Sequence, residues 1–210
     1  MKIYNELSNE RLGNDLNFTS SLYWEVASNI DTEMEATLRS SSGVTKRRFY
    51  NYILLDGTKV KKIIASEKEA REKGIKITDM EKISAVSDAI FYLGKGQADR
   101  AIQHLYEALD KELKSEEVEQ IRRIWNIGEG VIVYQFYQNS TSFEASTREA
   151  ILIDFVGKSN LTNIRNGTMY GNIRKWNSNK LYNMGLYFIL GVFTGLTSQK
   201  LNAFIEDDLV

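Results

Sequence analysis

The period of the apolar residues changes at Gly96, and that change limits the folds open to this chain. Ahead of it, Phe49-Tyr50-Asn51-Tyr52-Ile53-Leu54-Leu55 and Ile90-Phe91-Tyr92-Leu93 are short aromatic-rich runs that read as strands over residues 48–55 and 88–94. Two-residue alternation puts Tyr50 and Tyr52 on one face of the first strand, and Ile90 and Tyr92 on one face of the second. Beyond Gly96, Ala101, Ile102, Leu105, Ala108, Leu109 and Leu113 recur at helical spacing. The stripe predicts a helix reaching Leu113. Arg100, His104, Glu107 and Lys111 fall on its other side, so Arg100 and His104 are expected to project together, one turn apart.

The rest of the chain repeats this alternation of elements. Ser66-x-x-Glu69 and Thr78-x-x-Glu81 have the form of capping boxes, with Gly74 as the stop of the first helix. Residues 116–126 read as a helix and 131–137 as a strand. Thr141-x-x-Glu144 caps a helix running to about Gly157 with Glu149 in its middle. Residues 1–40 read as mostly helical, with Leu22, Val26 and Ile30 at helical spacing, and Ser40 to Gly43 as a loop. Residues 179–204 are apolar and read as a helix. The expected fold is α/β of the α+β kind: a small, mostly antiparallel sheet flanked by helices, with extra helices at both ends.

Composition excludes several classes. The chain has no cysteine and one histidine, which removes disulfides, cysteine metal sites and multi-histidine zinc chemistry. At 210 residues with 42% hydrophobic side chains, it can fill one sizeable globular domain. Met1-Lys2-Ile3-Tyr4-Asn5-Glu6 begins no secretory signal, so an intracellular place, nuclear or cytoplasmic, is expected. Leu181 to Gln199 carries no charge and borders on membrane-spanning length. Asn183, three glycines and two threonines within it favour a buried helix or a subunit contact, with a homodimer through this helix as the partner expectation. Gly94-Lys95-Gly96 lacks the spacing of a nucleotide phosphate loop, so no nucleotide cofactor is expected.

The formal net charge is -1, but it is unevenly placed. Residues 43–76, including Lys46, Arg47, Arg48, Lys59, Lys61 and Lys62, are strongly basic and adjoin the Tyr52 strand. The plain reading is a solvated face; the sharper one is contact with phosphates, through Lys59, Lys61 and Lys62 and also Lys95.

The chain also carries Tyr52, Tyr92, Arg100, His104, Glu149 and Asn163 in that order. Each has an ordinary reading: a strand aromatic, a surface arginine, a structural histidine, a solvated carboxylate, a turn asparagine. Together they contain what phosphodiester hydrolysis needs, namely a base for water, a cation for the phosphate and a carboxylate for a metal.

This order resembles that of the GIY-YIG endonucleases. Tyr52 stands at the first tyrosine of that family, with Tyr50-Asn51 where Gly-Ile is usual, and Tyr92-Leu93-Gly94 stands for Tyr-Ile-Gly. Longer strings are similar to one branch, the catalytic domain of animal nucleases that also carry ankyrin repeats and a LEM domain. These strings are Phe91-Tyr92-Leu93-Gly94-Lys95-Gly96, Gln103-His104-Leu105, Ile124-Trp125-x-x-Gly128-x-Gly130-Val131, Glu144-Ala145-x-x-Arg148-Glu149-Ala150-x-x-Ile153-Asp154 and Leu161-Thr162-Asn163-Ile164-x-x-Gly167. The resemblance covers residues 47–171. It leaves 1–46 and 172–210 as helical extensions, the second packed on the core, and no room for ankyrin repeats or a LEM domain. It implies a metal-dependent DNA endonuclease with Mg²⁺ or Mn²⁺ on Glu149, and Tyr52, Tyr92, Arg100, His104 and Asn163 as its other site residues. It further implies 5′-phosphate and 3′-hydroxyl products, and branched, flap or distorted duplex DNA, four-way junctions included, as substrate. The alternative is a catalytically inactive DNA-binding or protein-interaction module that retains the fold.

Overall fold

A computed structural model describes residues 49–197. The helical reading of residues 1–40 and the cations Lys46, Arg47 and Arg48 lie outside the described residues. The chain runs through β1 (Phe49–Asp56), α1 (Gly57–Glu72), α2 (Asp79–Ala89), β2 (Ile90–Gly96), α3 (Arg100–Glu107), α4 (Glu116–Asn126), β3 (Val131–Ser140), α5 (Ser142–Val156), a 3₁₀ turn (Lys158–Asn160), α6 (Tyr170–Ile173) and α7 (Ser178–Leu196). The three strands form one antiparallel sheet in the order β2-β1-β3. This is the expected small antiparallel sheet flanked by helices.

The central strand β1 sorts its side chains to two cores. Ile53 and Leu55 join Leu93, Ile132, Tyr134 and Phe136 under α1, α2, α5 and α7. Tyr50, Tyr52 and Leu54 join Val131, Val133 and the apolar stripes of α3 and α4, including Ala101, Leu105, Val118 and Ile121. Each fully buried Leu or Ile contributes about 1.5–3 kcal/mol. The apolar run of α7 is used inside the chain, since Leu181, Met184, Phe188, Ile189, Val192 and Leu196 belong to the first core. Its glycines permit that closeness: a Cβ at Gly195 would lie 2.2 Å from the Tyr134 hydroxyl. Among the described residues no helix is long and apolar enough to cross a membrane.

The capping boxes at Thr78/Glu81 and Thr141/Glu144 form as expected. Ser66 does not open a helix. Helix α1 starts nine residues earlier, where Asp56 Oδ1 accepts from Thr58 N at 2.9 Å and Gly57 N donates to Gly130 O at 3.0 Å. It ends as expected at Gly74, whose φ of +66° suits a left-handed stop. Helix α3 stops at Glu107 and does not reach Leu113. Arg122 of α4 donates to the carbonyls of Ala108 and Asp110, so those oxygens turn toward α4. Leu109 and Leu113 are left 49% and 43% exposed.

Strand β2 departs from simple alternation. Leu54 pairs with Tyr92 but Leu55 pairs with Ile90, so Phe91 is an extra residue, a β-bulge. Ile90 therefore packs in the first core, while Tyr92 packs against the second, beside Tyr52. Tyr50 and Tyr52 lie opposite Gly96 and Gly94 across the ladder. A Cβ at Gly94 would sit 2.6 Å from Tyr52 Cζ, and one at Gly96 would sit 3.0 Å from the Tyr50 ring. Gly94 and Gly96 are thus slots for two tyrosine rings.

Gly94→Ala is expected to destabilise the fold by about 1–3 kcal/mol through overpacking. Gly171→Ala, where a Cβ meets nothing within 4 Å in helix α6, is expected to be neutral or mildly stabilising. Urea unfolding of both variants checks this; equal effects would mean the Gly94 slot is not tight.

Candidate active site

The site is built on the face of the sheet covered by α3 and α4. Tyr52 is 1% exposed and its hydroxyl lies 2.8 Å from His104 Nε2. His104 is also 1% exposed, so it does not project from a polar face. The helical wheel misplaces it because the imidazole packs against the Tyr52 and Tyr92 rings. Its centroid is 5.9 Å from the first and 4.8 Å from the second. Tyr52 and Tyr92 stack with centroids 5.9 Å apart. Tyr50 anchors the start of α3: its hydroxyl donates to Ala98 O at 2.7 Å and accepts from Ala101 N at 3.0 Å.

Burial raises the pKa of both tyrosines, Tyr52 the more strongly. A charge on Tyr92 would push Tyr52 higher still. Glu117 and Glu149 push Tyr92 upward, and Arg100 opposes them. Burial, then the Arg100 charge, lowers the pKa of His104 against the pull of Glu107 and Glu117. His104 is therefore neutral at pH 7, with a nitrogen able to accept a proton.

Arg100 stands at the rim with 42% of its side chain exposed. It donates to Gln103 Oε1 at 3.1 Å and to Glu107 Oε1 at 3.1 Å. Lys95 reaches across from β2 to α5, donating to Ser146 Oγ at 2.6 Å, with Ser142 Oγ at 3.4 Å. Ser142, Ser146 and Glu149 are spaced by four and three residues and so share a helical face. Glu149 is half-buried. Burial pushes its carboxyl pKa up, while the Lys95 charge and a hydrogen bond from the Lys95 backbone N–H push it down. Among the described residues no group of three or more metal-ligating side chains gathers.

Asn163 holds a strand edge. Its Oδ1 accepts from Leu93 N at 3.0 Å and its Nδ2 donates to Leu93 O at 2.7 Å, as a fourth strand would. Thr162 adds N–H and hydroxyl donors to Phe91 O at 2.8 and 2.9 Å. Together they clamp the bulge that aims Tyr92.

Tyr52, Tyr92 and His104 thus come together with Arg100 at their rim, and the Glu149 charge acts on Tyr92 from α5. Lys95 alternates with Tyr92 along β2, and its side chain reaches α5 on the other face of the sheet. Lys59, Lys61 and Lys62 do not join the cluster. They ride on α1, which packs on the opposite face of the sheet through Val60 and Ile63. Lys59 pairs with Asp88 at 3.1 Å and Lys61 with Glu129 at 2.6 Å; Lys62 is exposed. Adjacency in sequence misleads here because β1 carries the chain about 13 Å from Tyr52 to Asp56, at ~3.3 Å per residue, before α1 turns behind the sheet. Sequence reasoning gave no special place to Glu107, Ser146 or Tyr50. For Glu107 the signal was present: it lies three residues from His104 and seven from Arg100, on the same helical face.

Asn163→Asp keeps the acceptor and removes the donor. It is expected to cost about 1–3 kcal/mol by setting a carboxylate oxygen against Leu93 O. It should also speed amide exchange at Leu93 more than at Ile53. Unchanged exchange at Leu93 would show that the clamp is dispensable.

Known proteins share this arrangement of sequence. The chain matches the model of the LEM-3-like GIY-YIG domain over residues 49–209. It is 34% identical over 152 residues to ankyrin repeat and LEM domain-containing protein 1 of Mus musculus, covering 70% of this chain and 27% of that protein. To the Homo sapiens protein of the same name it is 31% identical over 159 residues, 72% of this chain and 25% of that protein. To the Caenorhabditis elegans homolog it is 27% identical over 128 residues, 58% of this chain and 18% of that protein. The chain spans about a quarter of the length of the two mammalian relatives. No solved structure matches it. The family match runs through both tyrosine strands, the Arg100–His104 helix, the Glu149 helix and α7. With the antiparallel sheet that gathers these residues, it makes the chain a member of the LEM-3-like GIY-YIG family of nuclease domains.

Proposed function

We propose that this domain is a metal-dependent DNA endonuclease that prefers branched or distorted duplex DNA. The observation that carries the reading is the buried hydrogen bond between the Tyr52 hydroxyl and His104 Nε2, with the Tyr92 ring stacked on Tyr52 and under the charges of Glu149 and Arg100. Tyr52 is too buried to touch an incoming water; half-buried Tyr92 is placed to do so.

Both phenols hold their protons at neutral pH, so neither is a standing base. Neutral His104 supplies the acceptor. As Tyr92 takes a proton from water, its own proton moves to Tyr52, and the Tyr52 proton moves to His104 Nε2. The water oxygen forms the new bond to phosphorus and the bond to the 3′ oxygen breaks, leaving a 5′-phosphate and, after protonation from solvent, a 3′-hydroxyl. Arg100, half-exposed at the rim, is the cation placed to meet the phosphate charge. Arg100 matches phosphate oxygens through its planar fork.

The donor set suits Mg²⁺ or Mn²⁺. Glu149 is half-buried, and that burial makes the carboxylate anion costly unless a cation sits beside it. One carboxylate with space for water and phosphate oxygens is an ordinary Mg²⁺ arrangement. When bound at Glu149, the ion supplies Lewis-acid stabilisation of the phosphate charge. The preference for branched DNA rests on the short reach of the cations at the site: Arg100 stands at the rim of the tyrosine cluster, and the lysines of α1 ride behind the sheet. A compact cation set suits crowded phosphates at a bend or branch, whereas a straight duplex gains from a longer basic stripe.

Cleavage of four-way, flap and matched linear DNA in Mg²⁺, Mn²⁺ and EDTA tests this. Junction and flap should be cut faster than duplex, and nothing should be cut in EDTA. Glu149→Gln should lose activity in both metals with the fold retained. Tyr92→Phe should lose roughly 10²–10⁴-fold, and Tyr52→Phe less. Cleavage by Glu149→Gln at the parent rate would remove Glu149 as ligand, equal rates on linear and branched DNA would remove the shape preference, and no cleavage at all would favour an inactive module.

A further inference from the structure

Glu107 divides one carboxylate between two residues of the site. Its Oε1 accepts from Arg100 Nη1 at 3.1 Å, and its Oε2 lies 3.3 Å from His104 Nδ1. That imidazole nitrogen is buried and makes no hydrogen bond of its own, although the ring's other nitrogen is bonded to Tyr52 at 2.8 Å. A neutral imidazole carries one proton, and where it sits decides what the other nitrogen can do. With the proton on Nδ1, Nε2 accepts from the Tyr52 hydroxyl. With it on Nε2, the ring donates to Tyr52 and cannot take its proton. The groups around the ring are Tyr52 from β1, Tyr92 from β2, Arg100 and Glu107 from α3 and Glu117 from α4. Of these, Glu107 is the acceptor set against Nδ1.

We propose that Glu107 is a positioning residue. It keeps the His104 proton on Nδ1, and its carboxylate closes fully on Nδ1 when a phosphate draws Arg100 away. The inference rests on the nuclease reading given above and adds to it a link between substrate capture and readiness of the base. In the free protein Arg100 holds Glu107 short of a well-formed hydrogen bond. DNA that recruits Arg100 releases the carboxylate to the imidazole. The tautomer that accepts from Tyr52 is then most firmly held when substrate is present. No bond is made or broken by Glu107; the proton accepted at Nε2 leaves an imidazolium facing its carboxylate.

The chain has a single histidine, so protein labelled with ¹⁵N-histidine gives one imidazole to observe. The tautomer is read from two-bond ¹H–¹⁵N correlations, free and with a four-way DNA junction in EDTA. The free protein should show the proton on Nδ1, and the junction should move that proton's shift toward a stronger hydrogen bond. Glu107→Ala should move the proton to Nε2 and lower kcat by at least about tenfold without raising KM. Glu107→Gln, which can still accept from Nδ1–H, should keep the tautomer and more of kcat than the alanine variant. A proton on Nε2 in the parent protein, or the same tautomer in the parent and Glu107→Ala, overturns the proposal. So does a changed tautomer with kcat intact. A junction that leaves the Nδ1 proton shift unmoved overturns the link to Arg100. The expected tautomers in a protein that cuts none of the DNAs support the positioning role and overturn the nuclease reading instead.

Discussion

The hydrogen bond between the Tyr52 hydroxyl and His104 Nε2, 2.8 Å long and sealed from solvent, is the contact on which the site depends. It can form only because Gly94 leaves a slot for the Tyr52 ring on the neighbouring strand. It also requires α3 to lie close against β1, an approach set by Ala101 and Leu105 in the core and by Tyr50 holding the first turn of the helix. The bulge at Phe91 then brings Tyr92 onto the same face, and Asn163 keeps the bulged strand edge in place. A sheet of three strands and one helix therefore gathers side chains from positions 52, 92, 100 and 104 into one cluster.

Electrostatics give each member a different task. Two buried phenols are poor bases by themselves, because burial favours their neutral forms. The buried imidazole is kept neutral by the same desolvation and by Arg100, so it can take a proton. Glu149 lies beyond this proton path, on a different helix and beside the Lys95 backbone. In the proposed mechanism proton transfer and phosphate charge thus fall to different groups around Tyr92.

The strands, the two reciprocal capping boxes and the flanking helices were legible because each rests on local pattern: alternation, a Thr-x-x-Glu spacing, an apolar stripe. The membership of the site was legible through longer motifs and through their order. What escaped was decided by tertiary packing. The bulge at Phe91 leaves no mark in a run of aromatic residues, yet it puts Ile90 and Tyr92 on opposite faces. His104 sits on the polar side of the wheel and is nonetheless buried, since a histidine packed against two tyrosine rings is not distinguished by hydropathy. The ends of α1 and α3 are set by Gly130 and Arg122, partners far along the chain. The lysines of α1 adjoin Tyr52 in sequence but stand behind the sheet, where acidic partners hold two of them.

The central claim is that Tyr52 and His104 act as one unit, and a double-mutant cycle on single-turnover cleavage of junction DNA tests it most directly. Tyr52→Phe, His104→Gln and the double variant are compared with the parent protein at matched metal and salt. The account predicts that the double variant is no slower than the slower single one, because either change already interrupts the same proton path. Two losses that multiply in the double variant would show that the tyrosine and the histidine act independently, and would contradict it.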